Sequence, residues 1–275
     1  MTKFVLLLLV LPFGAVAAQR GYARGPADTT RLRERTHATS SFTTRNGTEV
    51  ITADIDAVIA LTNVKGDSAR AWFDFLDLKS LYRANTQHPD AKVALRKPFK
   101  LLFDSRGRVT MIETPRFTAP IDSVTDLRHE FDDFFLPLPP QPLAKGLVWT
   151  DSSGRDDQDD VNGRFFRIRR YGTYTVQRDT VVNGRHAFVI SSVADTHLTA
   201  NAPLTGGYQN GVSQSVLNGG DTSVYVFDAA AGRMLGRKRQ GFMGGTLILR
   251  PVEGAPVLIG QEVRYSGTIS AVGKP

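Results

Sequence analysis

Residues 171–194 read YGTYTVQRDTVVNGRHAFVISSVA. Tyr171 to Val182 is dense in Thr, Tyr and Val, Asn183-Gly184 interrupts it, and Arg185 to Ala194 resumes the same alternation. β-Branched and aromatic residues suit a pleated, half-buried surface, and Asn-Gly between two such runs supplies the backbone of a two-residue hairpin. This stretch is an antiparallel hairpin, and its pattern recurs along the chain.

Upstream, Ile55 to Val64 leads through Lys65-Gly66-Asp67 into Ser68 to Leu78, and Phe99 to Asp104 turns at Ser105-Arg106-Gly107-Arg108 into Val109 to Glu113. Downstream, Ser223 to Asp228 turns at Ala229-Ala230-Ala231-Gly232-Arg233 into Met234 to Arg239. Each half of the chain is thus a hairpin, a wider excursion and a second hairpin. The second hairpins share a phrase, Phe-Asp followed by Gly-Arg, at Phe103-Asp104 to Gly107-Arg108 and at Phe227-Asp228 to Gly232-Arg233. Aspartate bonds its own turn amides and glycine supplies positive φ there. The distance from the first turn glycine to this Asp is 38 residues in one half and 44 in the other, so the halves read as a duplication. The expected fold is all-β with one amphipathic helix, built as two related curved antiparallel sheets or half-barrels.

The helix is expected near 123–135, capped by Asp122 or Ser123, with Asp126 as capping-box acid and Val124, Leu127, Phe131, Phe134 and Phe135 on one face. Four prolines between Pro137 and Pro142 enforce an extended path after it. The expected organisation is a signal peptide over 1–18, a flexible leader over 19–31, a first β half over 32–136, a proline-rich connector over 137–146 and a second β half over 147–275. Trp72 to Leu78 reads as strand or helix, with the repeat favouring strand. Ser80 to Lys97 is a loop or short helix, and Asn201 to Gly220 a mobile loop or ragged strand pair. Gln261 to Ile269 is a last strand that can pair with an early one.

Lys3, the apolar run Phe4 to Pro12 and the small residues Gly14 to Ala18 follow the order of a secretory signal. Even stretched to Ala18, the apolar segment falls short of the roughly 18 to 20 residues that cross a bilayer. An exported chain, periplasmic or extracellular, with no transmembrane segment after cleavage is expected. Removing residues 1–18 leaves a formal charge of +6. That favours anionic partners, and outside the cytoplasm lipid headgroups and other envelope anions replace nucleic acid in this role. The absence of cysteine excludes disulfides, thiolate metal sites and a lipidated junction cysteine.

Chemistry-bearing motifs are sparse. His129 and Asp133 stand four apart, as metal ligands on a helix do, but on a helix they project away from the phenylalanine stripe as a solvated face. Asp156 to Gly163 resembles a calcium loop, yet alignment on Gly163 puts Gln158 at the first ligand position and Arg169 at the bidentate glutamate, so the template fails. No serine lies in a nucleophile elbow, and His37, His88, His129, His186 and His197 follow no zinc-ligand spacing. No catalytic residue, metal or cofactor is assigned. Arg164 to Tyr171 is more informative: on a strand Phe166 and Ile168 point one way, while Phe165, Arg167, Arg169 and Tyr171 point the other. Guanidinium groups between aromatic rings recognise phosphate or headgroup anions.

The phrase Phe135-Leu136-Pro137-Leu138-Pro139 with Leu143 to Gly146 and Trp149, then the Asn183-Gly184 hairpin and Phe227-Asp228 to Gly232-Arg233, resembles uncharacterised exported β-proteins of bacteria. In shape these are similar to the curved, incomplete barrels of envelope lipid carriers, whose concave face holds acyl chains. The resemblance implies a non-catalytic protein binding an amphipathic or anionic envelope ligand, such as a lipid. Arg167, Arg169 and Tyr171 would sit at the rim, and Phe131, Phe134 and Phe135 would line or lid the cavity. Readings from other classes are an envelope structural or protein-interaction module, and a secreted hydrolase if the fold brings His129, His186 or His197 beside a carboxylate.

Overall fold

The computed structural model describes residues 29–65, 67–122, 124–159, 164–204 and 211–272. The signal and most of the leader expected over 1–31 therefore lie outside the described residues, as do Gly66, the cap candidate Ser123, residues 160–163, residues 205–210 and residues 273–275.

Among the described residues twelve strands form one antiparallel sheet. In chain order they are β1 Thr30–Thr44, β2 Gly47–Lys65, β3 Ser68–Tyr82, β4 Asn85–Gln87, β5 Phe99–Phe103, β6 Val109–Glu113, β7 Val148–Asp159, β8 Arg164–Val182, β9 Arg185–Pro203, β10 Val212–Asp228, β11 Arg233–Arg250 and β12 Val257–Ala271. Across the sheet the order is β6-β5-β3-β2-β1-β12-β11-β10-β9-β8-β7, with β4 beside β3. The expected hairpins all form. The last strand does pair with an early one: β12 lies along β1 from Leu32 opposite Ala271 to Thr43 opposite Gly260. Through that pairing, what the repeat presents as two curved sheets is a single curved sheet.

Its alternation is polar outward and apolar inward. On β2, Ala57 and Ile59 are buried while Asp54 and Asp56 face out, and Asp56 accepts from Arg33 Nε and Nη2 at 2.9 and 2.7 Å. On β8, Tyr174 and Val176 are buried and Arg167, Tyr171 and Thr173 are exposed. A flat sheet of this strand number would be about 50 Å wide. Yet one buried cluster draws Leu32, Phe73, Phe99, Tyr174, Ile190, Phe227, Met234 and Ile269 from strands along its whole width. Only a sheet curled round a common interior allows this. The outer face mixes charged and polar side chains with scattered exposed apolar ones such as Phe75, Val193 and Val224, and so lacks the continuous apolar band of a lipid-facing barrel wall. Among the described residues no helix is long and apolar enough to cross a membrane.

The curl does not close. β6 and β7 are its unpaired edges, and side chains bridge the seam: Asp151, almost fully buried, takes Arg106 at 3.2 Å and also pairs with Arg108. The whole segment joining β6 to β7, residues 114–147, is longer than the proline-rich 137–146 stretch expected to link the halves, and this connector runs along the gap. Leu138 N donates to Arg106 O at 2.7 Å, Trp149 Nε1 to Pro137 O at 3.1 Å and Gly146 N to Val176 O at 2.8 Å.

The helix expected near 123–135 is not there. A four-residue helix α1 spans Ala119–Asp122, a single 3-10 turn spans Leu127–His129, and turns follow. Asp126 explains the interruption: its side chain accepts from Arg128 N, two residues on, so it starts a new turn instead of continuing an old one. The expected apolar residues are nevertheless buried. Phe131, Phe134, Phe135, Leu136 and Leu138 plug one end of the curled sheet, with Phe131 edge-on to Phe99 at 5.0 Å and Phe135 edge-on to Phe103 at 5.0 Å.

The two Phe-Asp to Gly-Arg turns are built on one principle, an Asp carboxylate accepting from turn amides, with different spacing. Asp104 Oδ1 accepts from Arg106 N and Arg108 N, and Asp228 Oδ1 accepts from Ala231 N. Gly107 and Gly232 have φ of 77° and 57°, values that disfavour any side chain.

A concave face crossed by a polar girdle

Above the phenylalanine plug, inward-facing ionic groups cross the concave face. Arg170 of β8 donates from Nε and Nη2 to the two oxygens of Asp221 on β10 at 3.1 and 3.0 Å, and from Nη1 to Tyr174 Oη at 2.9 Å. Arg239 of β11 donates to Asp221 Oδ2 at 3.0 Å and pairs with Asp133 of the connector at 2.6 Å. Tyr265 of β12 completes the set, its hydroxyl 3.4 Å from Asp221 Oδ2 and its ring beneath the Arg239 guanidinium. Tyr265 reaches this position because its cross-strand partner is Gly241. A Cβ there would meet the Tyr265 ring at 2.3 Å.

Burial pushes the Asp221 carboxyl up, but Arg170 and Arg239 more than offset it and hold it below its usual range. The same holds more strongly at Asp133, where burial is outweighed by Arg239, Arg237 and Arg170. Burial dominates at Tyr174, whose hydroxyl is pushed up to about 12. Each buried cation therefore keeps a charged anion.

The connector is tied to this girdle. Arg237 Nη1 donates to Asp133 O at 2.7 Å and to Phe134 O at 3.0 Å, and Arg155 of β7 pairs with Asp132 at 2.7 Å. Between connector and sheet lies a cavity of about 200 Å³, lined by Glu34, Asp126, His129, Glu130, Asp133 and Arg237 among others.

Beyond the girdle the strands continue, with Leu217 buried on their inner side and Ser215 Oγ donating to Gln261 Oε1 at 3.2 Å near it. Ile168, Leu198, Met243, Leu247 and Val263 point inward by register with the girdle residues and are half-buried, and none joins the cluster around the plug. This end of the concavity is an apolar trough.

The six residues expected at a ligand site are split between two faces. Phe131, Phe134 and Phe135 lie inside, packed in the plug. Arg167, Arg169 and Tyr171 lie on the outer face of β8, where both arginines bind Asp156 at 3.0 and 2.7 Å and Tyr171 meets the His197 ring edge-on at 6.3 Å. These two hydrogen-bonded guanidinium groups hold the Asp156 carboxyl down at about 2. The two sets do not form one site. The inward-facing arginine of that run is its neighbour Arg170, and parity was the signal for it: Arg170 is in phase with Phe166, Ile168, Tyr174 and Val176. Asp221 is likewise in phase with Tyr225 and Phe227.

His129 also departs from expectation. It is not on a solvated helix face but at the cavity, with Nδ1 3.1 Å from Asp132 and Nε2 3.4 Å from Asp157. This is the carboxylate neighbourhood named for a hydrolase, and His186 has one too, with Nε2 3.6 Å from Asp179 at an exposed position. Of the acidic run Asp156 to Gly163, Asp156 and Asp157 are engaged in the ion pairs just described, and residues 160–163 lie outside the described residues.

No protein-family model matches the chain, and no curated protein matches it. Among solved structures, the Neisserial surface protein A is 7% identical with a TM-score of 0.22, over 89% of this chain and 99% of that one. Pseudomonas aeruginosa OccD3 (OpdP) is 8% identical with a TM-score of 0.24, over 94% and 96%. A putative outer membrane lipoprotein-sorting protein domain from Vibrio parahaemolyticus is 10% identical with a TM-score of 0.15, over 93% and 89%. Superpositions this loose carry no argument about fold or function, which rest here on the chain's own geometry.

Proposed function

We propose that this is an exported, non-catalytic protein that holds an amphipathic ligand, such as a lipid, in the concave face of its sheet. The observation that carries this reading is the apolar trough beyond the girdle. Ile168, Leu198, Met243, Leu247 and Val263 face inward and are only half-buried, although an apolar inner face gains most by being covered. The trough is bounded below by the ionic groups of the girdle, a combination that suits an apolar tail with a polar end. The signal-like order of residues 1–18 supports the export part of the reading.

Native mass spectrometry of the protein from a secreting host, before and after organic extraction, tests it. A co-purifying amphiphile, or uptake from an envelope lipid extract, is the expected result, and Leu198→Glu with Met243→Glu should abolish it by placing charge in the trough. A bare protein mass after incubation with that extract would remove the reading in favour of a structural or protein-interaction role.

A further inference from the structure

Most contacts that fasten the connector to the sheet join opposite charges or a cation and a carbonyl: Arg239 to Asp133, Arg155 to Asp132, and Arg237 to the carbonyls of Asp133 and Phe134. One does not. Glu130 of the connector faces Glu34 of β1 across the wall of the cavity that both line. Glu34 Oε1 accepts from Thr36 Oγ1 at 3.2 Å, but Glu34 Oε2 is buried and has no donor. A buried acceptor without a donor is costly, and two facing carboxylates repel. A single proton carried by Glu130 eases both costs, because it can be donated to the Glu34 carboxylate and leaves one charge instead of two.

The other groups around the pair do not substitute for this proton. From the connector come Asp126, His129 and Asp133, from β11 Arg237 and Arg239, and from β12 Tyr265. Asp133 adds negative charge, while Arg239 is held by Asp133 and Asp221 and Arg237 by two carbonyls. Burial and the facing Glu34 keep the Glu130 carboxyl well above the ordinary range, with Asp133 adding to the effect and Arg237 opposing it.

We infer that Glu34 and Glu130 form a proton-dependent latch, which holds the Leu127–Phe135 stretch of the connector against β1 while one proton is shared and releases it as the pH rises. The latch would govern access to the plugged end of the concavity. Its ligand consequence rests on the proposed function, but the latch itself is tested without a ligand.

A group whose pKa is raised in the closed form stabilises that form fully below its free value, and the stabilisation is lost as pH climbs to the raised value. Opening should therefore become more favourable by up to about tenfold per pH unit above about 4.5, then level off. The readout is hydrogen exchange on the whole protein from about pH 5 to about pH 9, corrected for intrinsic rates, at the amides of His129, Glu130 and Asp132. These donate to Asp126, Leu127 and His129 carbonyls. Protection should fall in the wild type and stay flat in Glu130→Gln, whose amide supplies the missing donor at every pH. Glu34→Gln supplies the reciprocal donor and should also be flat, which covers the case in which the first variant fails to fold. Protection independent of pH in the wild type overturns the latch. So does a fall that persists in both variants, since it assigns the response to another group such as His129.

Discussion

Asp221 is the residue on which the interior most depends. It accepts from Arg170 and Arg239, with Tyr265 alongside, so its removal would leave two buried cations short of an anion. Asp221→Ala should cost about 3–5 kcal/mol, the range for breaking a buried pair from one side, read from the urea midpoint. Asp221 and Asp133 both titrate below the usual range. Their contribution is therefore present above the unfolded carboxylate value of about 3.9 and lost as pH falls through the lowered folded values. Acid should unfold the wild type, and Asp221→Asn should flatten the lower part of that curve. The outer arginines behave differently. Arg167→Gln with Arg169→Gln removes exposed partners of Asp156 on the convex face. The urea midpoint and amphiphile uptake should be unchanged at low and high salt, because surface pairs contribute little and these do not face the trough.

The elements were unevenly legible in the sequence. Hairpins at Asn183-Gly184, Gly107 and Gly232 could be read because the turn residue and the flanking alternation state the same thing locally. The connector could not. Val124 to Phe135 has helical spacing, yet those side chains are held by tertiary contacts, such as Phe131 on Phe99, and Asp126 restarts the turn. The girdle was half legible. Phase along β8 marks Arg170 as inward, but that its partner lies 51 residues away on β10 depends on a strand neighbourhood no local pattern reports. Two results should follow for the connector. A peptide spanning 119–136 should lack helical circular dichroism in water, since short segments without tertiary support are marginal. Phe131→Ala, which removes a ring in contact with Phe99, Phe134 and Phe135, should cost about 3–5 kcal/mol in urea unfolding.

At the scale of the whole molecule, the order of strands in the sheet is the order in the chain cut at the connector and rejoined at its ends. β1 and β12 are neighbours, Leu32 is opposite Ala271, and Val272 N donates to Arg31 O at 2.9 Å. A circular permutant with a short linker from 272 to 29 and new ends between Pro140 and Pro142 would thus be a simple meander from β7 to β6. It should fold to the same near-ultraviolet spectrum, with stability within about 1–2 kcal/mol of the parent, the scale of a changed loop closure. It should also fold faster, because β1 and β12 no longer have to meet across the full length of the chain.

The seam gives this architecture a mechanical property. Separating β8 from β9, or β1 from β2, breaks a ladder running the length of both strands. Parting β6 from β7 breaks no ladder, but it does strain the Arg106 and Arg108 clamps on Asp151, the connector's hydrogen bonds to both sides and the ring contacts of the plug with β5. The wall is therefore stiffest through the long ladders from β7 round to β3, and weakest at the seam and the short β5 and β6 ladders beside it. Like a split cuff, such a wall can change its girth at the slit while the long ladders keep their register, and the proposed ligand would gain from this a tolerance in cross-section.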